Sequence, residues 1–329
     1  MIRHTTTLGS RQSGVALLTA IIIVAMASIA AVTMAHQMQL SIRRTGNIMR
    51  SDQGFYVALG GEAWSRVMLI QDLKDDGDKG YDGLDEDWAQ EYPPVPAEGG
   101  EIKVQTTDLQ GRFNLNNLYL KDETDTKAKE KAATYLAQFQ RLLVLLELPE
   151  SIAQATQDWM DGDINALFPD GAEDLTYLSE EPPYRTANGL MGDATELRLI
   201  KGVDTEIYEK LAPHVVALPE ETPLNVNTAD PLVLQSLVPG LSEADVEQLT
   251  GDREENPFKD KNKFITRLRD LLDENKVKSE EIEPLISVNS HFFQLETVVR
   301  MENNSQRLVS RLYKSDQNVI VISRTLGVF

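Results

Sequence analysis

The sequence has no cysteine among its 329 residues. That removes disulfides, thiol nucleophiles and thiolate metal sites in one step, without fixing the compartment. The histidines His4, His36, His214 and His291 are scattered, and no HExxH pairing occurs. Walker A and GxGxxG loops are absent too, so nothing in the sequence reads as an enzyme's active site. The first 50 residues lack any acid and carry Arg3, Arg11, Arg43, Arg44 and Arg50. The rest sets 27 basic against 52 acidic side chains, a net of −25. An acidic body excludes a phosphate-binding surface. A basic start joined to an acidic body reads as a segment held at a membrane.

What is present begins with RQSGVALLTAIIIVAMASIAAVTMA, Arg11 to Ala35. Val15 to Ala35 is 21 residues without a charge, with Thr19, Ser28 and Thr33 its polar members. A helix of that length spans roughly 30 Å, the hydrocarbon thickness of a bilayer. A secretory signal is cut after its apolar core, yet the small-residue break here, Ser13-Gly14, precedes the core. Removed signal, permanent anchor or cut-and-retained helix therefore all stay open on these residues. The basic leader predicts a cytoplasmic N-terminus and a body on the other side. Apolar residues continue at helical spacing (Ile42, Ile48/Met49, Phe55/Tyr56, Leu59, Ala63, Val67, Ile70), which predicts one helix from Val15 to about Asp72.

From Asp72 to Gly100 the Asp, Gly and Pro density predicts loop. Its acids Asp75, Asp76, Asp78, Asp82, Asp85 and Asp87 fit no EF-hand register and read as a solvated acidic loop. Strands are expected at Glu101–Asp108 and Gly111–Leu115, and again at Phe292–Met301, Gln306–Tyr313 and Val319–Arg324. Between them the pattern is helical: Lys127–Leu148, Pro149–Met160, then Gly-turned helix pairs around Gly202 and within 228–249. Ser242 to Asp245 predicts a capping box. Such pairs resemble helix-hairpin-helix units used on DNA phosphates, but Glu243, Asp245 and Glu247 around the second turn exclude that use. The expected fold class is α+β: a long N-terminal helix packed on an antiparallel sheet, with a large, mostly α-helical domain inserted between its strands.

The acidic run DGDIN places Asp161, Asp163 and Asn165 at alternate positions, as at the start of an EF-type calcium loop. Ala166 stands where that loop needs Gly, and Ala172 where it needs its closing Glu. Glu173 and Asp174 follow and can close an oxygen shell in another geometry. The expectation is a Ca²⁺ site from Asp161, Asp163, Asn165, Glu173 and Asp174; the alternative is a solvated acidic turn.

A short basic leader ending in Gly14, ahead of an apolar helix that is kept, resembles the type IV pilin and pseudopilin class. That resemblance implies cleavage by a prepilin peptidase between Gly14 and Val15, with N-methylation of Val15. Pilins usually carry Glu at the fifth mature position, here Thr19. The absence of that Glu, with GRFNLNNL (111–118), DWMDGD (158–163), GAEDLTYL (171–178), PPYRTANG (182–189) and LNVNTADPLVLQSLVPGLSE (224–243), resembles the GspK family, the large minor pseudopilin of type II secretion.

The resemblance implies a leader at 1–14, a transmembrane helix at 15–35, a pilin-like domain from 36–120 and 286–329, and an α-domain at 121–285. That α-domain would consist of two helix-hairpin-helix/SAM-like sub-units, about 121–220 and 221–285, with a structural Ca²⁺. It implies an inner-membrane, single-pass subunit with a periplasmic body, at the tip of the pseudopilus that exports folded proteins across the outer membrane. There it would cap or initiate assembly and limit length, beside I-type and J-type minor pseudopilins and the inner-membrane assembly platform. The other function open at this point is a membrane-anchored periplasmic calcium-dependent binding protein unrelated to filaments.

Overall fold

The computed structural model describes residues 13–120, 125–272, 277–301 and 304–328. The leader residues Met1–Gln12, with Arg3 and Arg11, lie outside the described residues. Helix α1 runs Ser13–Lys79 and passes the boundary between two compact units, one ending at Tyr56 and one starting at Val57. In the first unit the apolar side chains of α1 are exposed, from Val15 and Leu17 through Ile42 and Met49. They have no protein core of their own.

In the second unit, α1 lies on a five-stranded antiparallel sheet. Its strands are β1 (Val95–Ala97), β2 (Gly100–Asp108), β7 (Phe292–Met301), β8 (Asn304–Lys314) and β9 (Val319–Val328), in the order β1-β2-β7-β8-β9. Gly61 lets helix and sheet close up, because a Cβ there would lie 2.9 Å from Ile102 and Val104. Next in the chain, Glu62 takes both forks of Arg324 (2.7 and 2.8 Å) and the Ser310 hydroxyl, and one turn on Arg66 donates twice to the Val319 carbonyl. These bonds fasten the last strand to the helix. Leu69 then enters a small core with Trp88, Val104, Phe293, Leu295, Leu312 and Val319.

The helix outlasts the expected stop at Asp72, and the following segment is not a solvated loop. A 3-10 turn at Asp87–Ala89 buries Trp88, and β1 adds an edge strand. Asp82 is fully buried, bonded to the Lys314 ammonium, which also lies 2.9 Å from Asp72. Asp72, Asp82 and Glu86 have the mutual spacing of a cation site, but the cation among them is the chain's own lysine. Asp85 accepts from the Tyr81 hydroxyl at 2.9 Å, and the side chains of Asp75, Asp76 and Asp78 lie outside the described residues.

The expected strand at Gly111–Leu115 shrinks to β3 (Phe113–Asn114). It pairs in parallel with β4 (Val215–Val216), not with the large sheet. The reason lies in its asparagines. Asn114 Oδ1 accepts from the Asn116 and Leu218 amides, and Asn116 Nδ2 donates to the Met191 and Leu218 carbonyls. These side chains take over backbone groups that a longer strand would have paired with its neighbour.

The same device recurs. In β5 (Leu224–Asn225), paired in parallel with β6 (Ile286–Ser287), Asn225 Oδ1 accepts from the Asn227 amide. Asn227 then holds both the amide and the carbonyl of Phe258. Each asparagine strand is followed by helices and closed by a proline-containing 3-10 turn, Ala212–His214 or Glu283–Leu285, that leads into its parallel partner. The inserted domain is thus two similar units. The first holds α2 (Thr126–Leu145), α3 (Ser151–Met160), the short α4 (Asp174–Tyr177), a 3-10 helix at Ala194–Leu199 and α5 (Thr205–Leu211). The second holds α6 (Pro231–Leu237), α7 (Glu243–Glu255), α8 (Lys261–Leu271) and α9 (Ser279–Ile282).

The α2–α3 turn places Glu147 at φ 57°, and the α6–α7 turn places Gly240 at φ 86°. Gly202 (φ 85°) makes the expected turn before α5, and Ser242 and Asp245 form the expected capping box. One continuous core runs through both units, from Phe113 and Phe139 to Phe264 and Val288.

Candidate functional site

The N-terminal junction comes first in the chain. Gly14 and Val15 lie in the first turns of α1, and a Cβ at Gly14 would meet nothing within 4 Å. The Thr19 hydroxyl donates to the Ala16 carbonyl at 2.9 Å, Ser28 to Val24 and Thr33 to Ile29, both at 2.8 Å. Every polar side chain of the uncharged span is satisfied along its own helix, as a lipid surrounding demands. This helix is long and apolar enough to cross a membrane.

The second site is the acidic segment after α3. Three carboxylates, Asp158, Asp161 and Glu173, converge with oxygens within 4.8 Å of one another, and all three residues are buried. Asp158 and Asp161 sit three positions apart at the C-terminal end of α3, so they project from one side of it. The chain leaves at Asp161 and returns over Asp158, whose carboxylate accepts from the Leu167 and Ala172 amides at 3.1 and 2.7 Å. The return is tight. A Cβ at Gly171 would lie 2.1 Å from Asp158 Oδ2 and 2.4 Å from the Leu167 nitrogen. Glycine is required there for close approach.

Of the residues expected to bind a cation, Asp161 and Glu173 are in this cluster. Asp163 is close enough for its charge to act on both Asp158 and Glu173, while its carboxylate accepts from the Asn165 amide at 2.5 Å. Asn165 is exposed. Asp174 is turned to other work: Arg185 donates to it at 2.6 Å, and the Thr186 amide and hydroxyl both at 3.1 Å. Asp158 had not been expected. The EF-type template looks forward from Asp161, whereas this carboxylate sits one helical turn back; the i, i+3 acids of DWMDGD are the available signal.

Burial pushes the Asp158 carboxyl up to about 6, against the pull of its two amide donors. Burial, then the charges of Asp161, Asp158 and Asp163, push Glu173 up to about 7. Glu173 Oε1 is buried without a hydrogen-bond partner. An orphaned carboxylate oxygen facing two others is unfavourable for the protein alone and suits a hard divalent cation with oxygen ligands. The residues present fit calcium.

Family models for type II secretion system protein K match residues 111–220 and 224–283. Protein K of Pseudomonas aeruginosa is 35% identical, over 96% of this chain and 93% of its own. Protein K of Aeromonas hydrophila is 31% identical, over 96% and 97%. The chain belongs to the type II secretion system protein K family. A solved GspK-GspI-GspJ complex from enterotoxigenic Escherichia coli contains a chain matched with a TM-score of 0.73 at 25% identity, over 86% of this chain and 99% of that one.

Membership makes this a structural pseudopilin of the secretion machinery, with the expected long helix, antiparallel sheet and inserted helical domain. The first matched segment spans the first asparagine-strand unit, and the second runs from the opening strand of the second unit to its closing proline turn.

Proposed function

We propose that this chain is the tip subunit of a type II secretion pseudopilus, assembled with I-type and J-type minor pseudopilins. The observation that carries the reading is the extent of the structural match: a relative solved within a GspK-GspI-GspJ complex is covered over 99% of its length. A prepilin peptidase cleaves after Gly14, Val15 becomes the methylated first residue, and the retained helix serves first as inner-membrane anchor and then in the filament. The leader is cytoplasmic and the acidic body periplasmic, as the basic start favours.

Thr19 supports a terminal position. Its hydroxyl is used on Ala16 of the same helix, so this subunit offers no carboxylate to the amino terminus of a neighbour. The two-unit inserted domain supports it sterically, since many such domains stack poorly in a thin filament. The subunit caps or initiates assembly and limits its length, serving export of folded proteins, and acts as a structural part, not a catalyst. Asp158, Asp161 and Glu173 hold one structural Ca²⁺ that offsets their mutual repulsion and pins the 161–173 loop.

The assembly claim is tested by expressing the chain with its I-type and J-type partners. The three are expected to elute as one complex; elution of this chain alone, while the other two associate, would contradict it.

A further inference from the structure

The loop that closes over the carboxylate cluster carries side chains that the fold leaves uncovered. Ile164 is 79% exposed, Phe168 93% and Leu175 87%. Among the described residues of the unit that begins at Val57, these are the most exposed large apolar side chains. Phe168 is presented by a held backbone. Its carbonyl accepts from Gln154 Nε2 on α3 at 3.3 Å, and the same Gln154 accepts from the Asp170 amide at 2.9 Å. On either side, the Leu167 and Ala172 amides are bonded to Asp158.

The twin unit shows that the helix pair closes with a much shorter connection, whereas here Ala172, Tyr177 and Met191 of the segment are buried in the unit's core and fix its backbone. There α7 passes to α8 through residues 256–260, where the first unit inserts 161–193. A longer segment anchored by core residues, with held backbone and apolar tips in water, has the character of a contact surface.

The charge around it states the chemistry of what it contacts. From Leu142 to Tyr184 the sequence has ten acids and no Lys, Arg or His. Three of the ten are the buried cluster; Asp170, Glu180 and Glu181 are exposed. An anionic lipid surface would be repelled by such a rim. A polypeptide presenting basic residues around an apolar centre would be attracted by the rim and anchored by the tips.

We infer that Ile164, Phe168 and Leu175, within their acidic rim, form a docking surface for a cationic, amphipathic polypeptide segment of another protein. The inference does not depend on a bound cation or on a position in the filament.

The test uses the full chain in nanodiscs of zwitterionic lipid and a fluorescent helical peptide of lysine and leucine, with empty nanodiscs as blank. Ile164→Ser/Phe168→Ser/Leu175→Ser is expected to weaken binding at least tenfold. Asp170→Asn/Glu180→Gln/Glu181→Gln should weaken it and flatten its salt dependence. Ile320→Ser/Ile322→Ser, exposed apolar positions on β9, should bind as the parent does. The thermal midpoints of all three variants should match the parent. Equal binding by the triple apolar variant, equal weakening by the β9 variant, or tighter binding to anionic vesicles than to the peptide would each overturn the inference.

Discussion

The two units of the inserted domain start alike and end alike, and differ in what they hold between. Both open on a strand whose asparagine folds back on the amide two residues ahead, and both close on a proline turn feeding a parallel strand. The first then carries the acidic segment 161–193; the second joins α7 to α8 directly. The second reaches the pilin-like sheet. Asn225 Nδ2 donates to the Asp82 carbonyl, to Asp108 Oδ2 and to Ser290 Oγ, and Asp108 also accepts from Ser290 and Thr228. The first unit meets the sheet differently, through Arg311 on Asp193 at 2.5 Å and through Val216 and Leu218 in a small core with Leu109 and Phe292. One frame therefore serves two ends: the second copy is held to the sheet by a buried polar network, and the first carries the acidic site.

The polar network should break hardest. Asn225→Leu strands the Asp82 carbonyl and the Asn227 amide in a buried setting and takes one donor from Asp108, at about 1–3 kcal/mol per unsatisfied group. A loss of roughly 3–5 kcal/mol is expected in denaturant unfolding. The matching Asn114→Leu should cost less, because its partners, the 116–118 turn, Leu218 and the 220–222 segment, lie within the first unit and its exit. Equal losses would mean that the two strands do the same work.

Next comes the site of the first unit. Calcium at a hundredfold its Kd should stabilise the parent by about 2.7 kcal/mol. That shift should vanish in Asp158→Ala and Asp161→Ala and persist in Asp174→Ala, whose carboxylate is engaged by Arg185 and Thr186. The pH dependence follows from the raised carboxyls, pushed to about 6 at Asp158 and about 7 at Glu173. Their folded values exceed the unfolded ones, so the calcium-free folded state binds more protons between about pH 4 and 7. Its stability should fall as pH rises through that window, and calcium should remove the fall. Thermal melts at several pH values, with and without chelator, check this.

Backbone contrasts are smaller. Gly171→Ala forces a Cβ against Asp158 and Leu167 and should cost about 1–3 kcal/mol, while Gly162→Ala, open to solvent, should be near neutral. Glu147 occupies the left-handed region where the second unit uses Gly240, so Glu147→Gly should stabilise by about 0.5 kcal/mol. Urea midpoints separate these effects.

How much of this was legible in the sequence depended on range. Helix α1, the C-terminal strands, the capping box and the Gly202 turn are written in local spacing and cap residues, and the structure has each of them, with α1 running on past Asp72 to Lys79 and the last strand past Arg324 to Val328. Interactions across the chain were not legible. Asp82 sits in a run whose composition says solvent, yet its partner Lys314 lies 232 residues away. Asn114 and Asn116 read as turn or strand residues until Leu218 and Met191 arrive to be bonded. The acidic cluster was half legible: the expected set of Asp161, Asp163, Asn165, Glu173 and Asp174 includes two of the three converging carboxylates, while burial, which sequence does not print, brings in Asp158.

The central claim is that α1 is a cut and retained pseudopilin helix. Intact-mass and N-terminal analysis of the protein isolated from membranes tests it directly. The expected result is a chain that begins at N-methylated Val15. A chain that keeps Met1, or one that begins near His36 after loss of the apolar span, would contradict it.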